Sequence, residues 1–304
     1  MGFWHNSALF PLYAVVLNWN APADTIECLA SLRLALAAVD GVTRIIVVDN
    51  GSSDSSVAQL RQQMPALFDE LAPLNRNLGF AGGVNVGIQL AMARGAGSVL
   101  LLNNDTTVDQ QMVVRLMDSL VEHPETGLVG PVIYYADAPE QIWRAADNES
   151  AWLPIPRRMA DSALAVAADS LAVDYITGCC MLVRAATIAE IGLFDERFFM
   201  YFEDADYCRR ARICGYGIRC VPAARMWHKV SLSANRIRPT TRYVASWGRV
   251  QFYRKHPHGR LAALVHPYIW ARGLIVSAGD GLHGEWDLIA ALWRGVYDGY
   301  RDPL

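Results

Sequence analysis

The chain has 304 residues, 53% of them hydrophobic and 19% charged, with a formal net charge of −3 and a mean hydropathy of +0.15. That is enough for one large or two modest domains with a sizeable core, and it excludes a disordered or fibrous chain. The longest uncharged apolar stretches, such as Leu261 to Ala271, fall short of the roughly 18–20 residues a membrane-spanning helix needs.

The charge is unevenly placed. From Arg225 to Gly279 there are ten basic residues and no acid, so the remainder carries −13, a split that points to an anionic partner for the C-terminal third. Met1 to His5 lack a secretory signal, and Asn6 spoils a myristoylation signal at Gly2, so the chain is expected in the cytoplasm. The six cysteines (Cys28, Cys179, Cys180, Cys208, Cys214, Cys220) form no Cys-x-x-Cys pair and no zinc spacing, and read as buried, reduced thiols.

Apolar runs rich in Val, Ile and Leu alternate with segments of helical period, the pattern of an α/β fold with a mostly parallel sheet. Strands are expected at Ala14 to Leu17, Arg44 to Val48, a weaker one ending near Asn75, Ser98 to Leu102 and Gly127 to Ile133; helices at Ala23 to Ala37, Ser55 to Gln63, Gly83 to Arg94 and Asp109 to His123. Ala136 to Ala172, with Pro139, Pro154 and Pro156, reads as a long excursion. After Pro239 helical periodicity with Trp, Tyr and Arg takes over, which divides the chain into 1–238 and a helical extension, 239–304.

Four segments carry chemistry. Asp49 ends the second strand, in the crevice where open α/β sheets bind ligands; a turn or helix-capping role is the alternative, with Ser53 or Asp54 also able to cap. No glycine separates the first strand from Gly41, which argues against a dinucleotide fingerprint. Asn75 to Gly83 joins Arg76 to small residues ahead of a helix, suited to a nucleotide or to close packing of strand on helix. Asn103-Asn104-Asp105 closes another apolar strand; Asp105 is a candidate ligand for Mg2+ or Mn2+, and an Asx-turn is the alternative. Glu203, Asp204 and Asp206 place three acids behind an aromatic run. Such crowding raises at least one pKa and prepares a general base, while the same acids favour a helix N-terminus.

With these motifs in this order, together with Thr177-Gly178-Cys179-Cys180-Met181-Leu182-Val183-Arg184 and the run Phe202 to Arg210, the chain resembles family 2 glycosyltransferases of GT-A fold, within them the bacterial rhamnosyltransferase-like group. The resemblance covers Tyr13 to Asn235. It implies that Leu17 and Trp19 flank a base whose N3–H Asp49 accepts, that Arg76 helps hold the nucleotide and that Asn104 faces the ribose. It further implies that Asp105 and His228 bind the divalent metal, although Asn103 replaces the first acid of the D-x-D motif. Asp204 becomes the catalytic base, with Glu203 and Asp206 in support. Gly178, Cys179 and Trp227 shape the donor and acceptor pocket.

The implied reaction is inverting transfer of a sugar, best L-rhamnose from dTDP-L-rhamnose, with UDP donors not separated, to a cell-surface glycan or lipid-linked acceptor. The alternatives are a non-catalytic sugar-nucleotide-binding module and a nucleotidyltransferase, which would need a second metal carboxylate. No nucleic-acid motif accompanies the basic C-terminal segment, whose interleaved aromatics suit an anionic membrane surface, so the enzyme is expected to be peripheral on the inner face of the membrane.

Overall fold

The computed structural model describes residues 9–149, 156–159, 161, 164, 170–230, 238–257, 259 and 262–304. The readings of Met1 to Asn6, Pro154, Arg236, Arg260 and Leu261 lie outside these residues.

The chain forms strand β1 (Leu12–Asn18), helix α1 (Pro22–Ala37), β2 (Thr43–Asp49), α2 (Ser56–Arg61), β3 (Glu70–Pro73), α3 (Gly79–Ala93) and β4 (Ser98–Asn103). There follow β5 (Thr106–Val108), α4 (Met112–Glu122), β6 (Thr126–Tyr135) and four short strands, β7 (Ile142–Arg144), β8 (Ala146–Glu149), β9 (Pro156–Arg158) and β10 (Leu171–Ala172). Then come β11 (Tyr175–Ile176), β12 (Cys180–Arg184), α5 (Ala185–Ile191), α6 (Glu203–Ile213) and β13 (Gly217–His228). The C-terminal region is α7 (Arg238–Lys255), α8 (Val265–Leu282) and α9 (Trp286–Arg301).

The main sheet runs β10-β13-β6-β12-β4-β1-β2-β3, with β5 on β13 and β7 on β6. β1, β2, β3 and β4 are mutually parallel, as are β6 and β13, while β12 is antiparallel between β4 and β6. From β1 the chain moves outward to β3 and then returns to lay β4 on the other side of β1. That reversal is a switch point, and it opens a crevice at the carboxyl ends of β1 and β4. β8, β9 and β11 form a small antiparallel sheet, so the excursion from Ala136 is built rather than structureless.

The sheet is buried on both faces, which is why its strands read as continuous apolar runs. Leu12, Ala14 and Val16 face the core under α1 and α4, whereas Tyr13 and Val15 face the core under α3 and α6. Helix α3 begins at Gly79, four residues before the expected start, because its glycines serve packing. A Cβ on Gly87 would stand 2.2 Å from Val15 Cγ1. A third core joins Val250, Phe252, Ile269, Leu292 and Val296 of α7, α8 and α9 to Phe198 and Phe202, just ahead of α6. The C-terminal helices are thus packed onto the segment that carries the acidic cluster.

Candidate active site

The parallel register sets the floor of the crevice: Asn18 lies opposite Asp49, and Leu17 opposite Asn103. Buried amides and hydroxyls bind these strand ends into one network. Asn104 Nδ2 donates to Thr25 Oγ1 (2.9 Å), Thr25 Oγ1 to Asn18 Oδ1 (2.7 Å), and Asn18 Nδ2 to Asp49 Oδ1 (2.6 Å). Ser52 adds its hydroxyl to Asp49 Oδ1 (2.7 Å) and its N–H to Oδ2 (3.0 Å). Asp49 is only 1% exposed, and of the four lone-pair positions of its carboxylate one, on Oδ2, is left. Trp19 and Arg76 are exposed on the rim and Leu17 is half-buried. The Arg76 loop is held by Asn50, which donates to Asn77 Oδ1 and Gly79 O and accepts from Leu78 N–H. Asn18, Thr25, Asn50 and Ser52 escaped the sequence reading; a polar residue ending an apolar run was the available signal.

Asp105 and His228 are 123 residues apart in sequence, yet His228 Nε2 lies 3.0 Å from Asp105 Oδ1. The antiparallel pairing of β5 with β13, which sets His228 opposite Thr106, brings them together. That is a hydrogen-bond distance, so the two side chains already face one another, and a carboxylate oxygen beside an imidazole nitrogen is a donor pair a divalent ion would accept. Among the described residues no cluster of three His, Cys, Asp or Glu side chains gathers here. An ion held by this pair would therefore draw its remaining ligands from water and the diphosphate, and on that condition the residues fit a divalent metal.

Asp204 sits in the first turn of α6, after Tyr201 and Phe202, both in left-handed backbone conformation (φ 70° and 72°). Non-glycine residues held there store strain, which clusters at functional sites. Asp204 Oδ2 accepts from the Tyr175 hydroxyl (2.6 Å) and Gly178 N–H (2.9 Å), and Oδ1 from Ala205 N–H (2.8 Å). A Cβ on Gly178 would come 3.2 Å from Asp204 Cβ and 3.4 Å from Phe80 Cε1, so any larger residue would crowd the carboxylate. Asp204 lines a cavity of about 550 Å³ together with Trp143, Tyr175, Thr177, Arg249 and Tyr253. Trp143 continues to the metal candidates, its ring centred 4.5 Å from that of His228.

The other acids of the cluster face inward. Burial first, and the charge of Asp204 second, push the Glu203 carboxyl well above its ordinary range. Asp206 is fully buried between Arg210 (2.8 Å), Lys255 (2.6 Å) and His256 (2.8 Å). Burial would raise its pKa, but hydrogen bonds from His256, Lys255 and Arg210 outweigh that and hold it below the usual carboxylate range.

One expectation, that all six thiols are buried, is corrected by the geometry, and two expected pocket residues lie off this cavity. Cys179 is turned into the core, where burial pushes its thiol far up, and only its neighbour Thr177 lines the cavity. Trp227 alternates with His228 along β13, so its indole points away, donating to Pro139 O (3.2 Å), and does not line the cavity. Cys214 is exposed, although the other five thiols are buried as expected.

A model described as Glycosyltransferase like family 2 matches residues 10–256. The chain belongs to this family. Among the relatives of this glycosyltransferase is the N-acetylglucosaminyl-diphospho-decaprenol L-rhamnosyltransferase of Mycobacterium tuberculosis, 29% identical over 250 residues, 75% of this chain and 78% of the relative. The galactofuranosyltransferase GlfT1 of the same organism is 29% identical over 203 residues, covering 66% and 64%. The fold is GT-A, shared with the mannosyltransferase PcManGT of Pyrobaculum calidifontis, solved with GDP-Man and Mn2+ (TM-score 0.60, 14% identity, 96% of this chain and 88% of that one). GalNAc-T7, solved with UDP, GalNAc and Mn2+, is also similar (TM-score 0.58, 13% identity, 84% and 53%). The family match runs through α7, beyond the boundary read at residue 239.

Proposed function

We propose that this glycosyltransferase moves L-rhamnose from dTDP-L-rhamnose, with inversion, to a hydroxyl of a lipid-linked glycan acceptor. The observation that carries the reading is Asp204, held by Tyr175 and the Gly178 N–H on the wall of a cavity that opens toward the Asp105–His228 pair. The sugar and acceptor come from the rhamnosyltransferase relative, named for a diphospho-decaprenol acceptor.

Asp49 receives the N3–H of thymine on its remaining Oδ2 lone pair, Leu17 and Trp19 flank the base, Asn104 faces the ribose and Arg76 the diphosphate. Asp105 and His228 would hold a divalent ion, Mn2+ or Mg2+, which when bound would supply positive charge toward the leaving diphosphate. Asp204 takes the acceptor hydroxyl proton as that oxygen attacks the anomeric carbon from the face opposite the leaving group. A single displacement inverts the centre. Tyr175 and the Gly178 N–H fix the orientation of the base, while burial and the charge of Asp204 disfavour a second charge on Glu203 beside it. The 1–238 unit carries the chemistry, and the 239–304 extension closes the acceptor side through Arg249, Phe252 and Tyr253.

The enzyme works at a membrane surface. Among the described residues no helix is long and apolar enough to cross a membrane, but Leu264, Trp270, Leu274, Ile275, Leu282 and Trp286 form an exposed apolar stripe along and beside α8. The basic side chains first expected to dock are mostly engaged within the protein: Arg242 with Asp280, Arg254 with Gly299 O and Asp302 O, and Lys255 with Asp195 and Asp206. The stripe, not the cations, meets the lipid.

The test is a panel of nucleotide sugars screened for thermal stabilisation with Mn2+, followed by transfer to a prenyl-diphospho-N-acetylglucosamine and determination of the product anomer. Stabilisation and inverted transfer with dTDP-L-rhamnose support the reading; selective stabilisation and transfer by another donor replaces the sugar.

A further inference from the structure

The cavity beside Asp204 is lined by five guanidinium groups and, besides Asp204, by three carboxylates. Four of the cations have acidic partners: Arg144 with Asp147, Arg158 with Asp161, Arg209 with Glu149, and Arg212 with both Glu149 and Asp174. Arg249 has none among the described residues. Around it stand the Phe202 ring, 5.2 Å from the guanidinium carbon, the Tyr253 and Tyr268 side chains and a second cation, Arg272.

Drawing a guanidinium out of bulk water is costly, and stacking on one aromatic face offsets only part of that. A residue kept in such a state is matched by a ligand that brings the missing negative charge, and the planar fork of Arg fits phosphate oxygens in pairs. The position also separates this charge from the donor. Asp49, Arg76 and Asp105 do not line this cavity, which reaches the donor side only through the neighbours of His228. Arg249 instead shares α7 with Phe252 and Tyr253, so the cation stands beside an aromatic wall.

We propose that Arg249 is an anion subsite on the acceptor side, taking a phosphate or diphosphate group carried by the acceptor. The proposal rests on the transferase reading only for the identity of that ligand as acceptor. The C-terminal helices thereby contribute a specificity residue to the site. Its place next to Phe252 and Tyr253 fits an anion that continues into an apolar chain.

The experiment is equilibrium binding by calorimetry on the full chain in EDTA, with inorganic diphosphate and geranyl diphosphate as probes. Wild type binds, Arg249→Gln weakens binding by at least about tenfold, the effect of losing one charge-assisted hydrogen-bond pair, and Arg249→Lys restores part of it. Arg94→Gln, whose cation is paired with Glu70 and does not line this cavity, leaves it unchanged. Tighter binding of geranyl diphosphate than of inorganic diphosphate identifies a lipid-borne group; equal binding identifies a soluble sugar phosphate. Equal affinity in wild type and Arg249→Gln, or no binding by wild type, overturns the subsite. Because no turnover is involved, a chain that binds through Arg249 yet transfers no sugar refutes the transferase reading alone.

Discussion

Asp206 of α6 and Lys255 of α7 meet at 2.6 Å, with Asp206 fully buried, so an ion pair fastens the C-terminal helices to the helix that carries Asp204. His256 and Arg210 complete the cage around the same carboxylate. Removing one partner of a buried pair leaves the others uncompensated, which costs about 3–5 kcal/mol. Asp206→Ala is therefore expected to lower the unfolding free energy read from urea titration by about 3–5 kcal/mol. Because the folded pKa is depressed, the contribution is present above the unfolded aspartate value of about 3.9 and is lost as pH falls through the folded value. Wild type and variant should converge in acid; a constant difference from neutral pH down to acid would contradict the assignment.

Glu203 behaves in the opposite sense. Its folded pKa lies well above the ordinary range through burial and the charge of Asp204, so its contribution is complete below the unfolded value of about 4.3 and is lost as pH rises through the folded one. Glu203→Gln mimics the protonated form. Denaturant midpoints measured from mildly acid to alkaline pH should show the variant gaining on wild type as pH rises, and parallel curves would show that Glu203 is ionised in the folded state.

Loss of Asp105 removes the one charge of the proposed ion site, whereas loss of His228 removes a neutral ligand. Asp105→Ala should therefore weaken Mn2+ binding, read by electron paramagnetic resonance, more than His228→Ala does. Each loss should be at least roughly 10–100-fold, the range already seen when an outer-shell partner is lost. EDTA should suppress transfer by wild type. Full activity in EDTA would leave Arg76 to neutralise the leaving group, since Lys229 is committed to Asp24 and Glu27.

Much of this was legible in the sequence, for identifiable reasons. β1, β2 and β4 were visible because both faces of the sheet are buried, which writes each strand as an unbroken apolar run ending in a polar residue. The start of α3 was misplaced because its first glycines mimic a turn; the need for Gly79 and Gly83 arises from close approach to Phe199 and Leu17 on other segments. Asp204 and Asp105 stood out as acids after apolar runs, but their surroundings come from pairing far along the chain. Tyr175 reaches Asp204 across 29 residues. Arg249 reaches Phe202 across 47 residues, a contact that no local periodicity announces. The charge split of the C-terminal segment hid these pairings for the same reason: the acids Asp280, Glu285, Asp298 and Asp302 lie just beyond it and pair back onto it.

The membrane contact is expected to depend on apolar residues. Leu274→Glu with Ile275→Glu should abolish co-sedimentation with vesicles, since each buried aliphatic side chain contributes roughly 1.5–3 kcal/mol. Arg242→Gln with Arg254→Gln should instead lower the melting temperature and leave vesicle binding in place. The reverse pattern would restore electrostatic docking.

The most direct measurement is transfer by Asp204→Asn alongside nucleotide-sugar affinity. The amide keeps the size of the side chain and an oxygen for Tyr175 or the Gly178 N–H, but it cannot accept the acceptor proton. The account predicts loss of turnover by about 10²–10⁴-fold with donor Kd within a few-fold of wild type. Turnover at the wild-type rate in Asp204→Asn would contradict it.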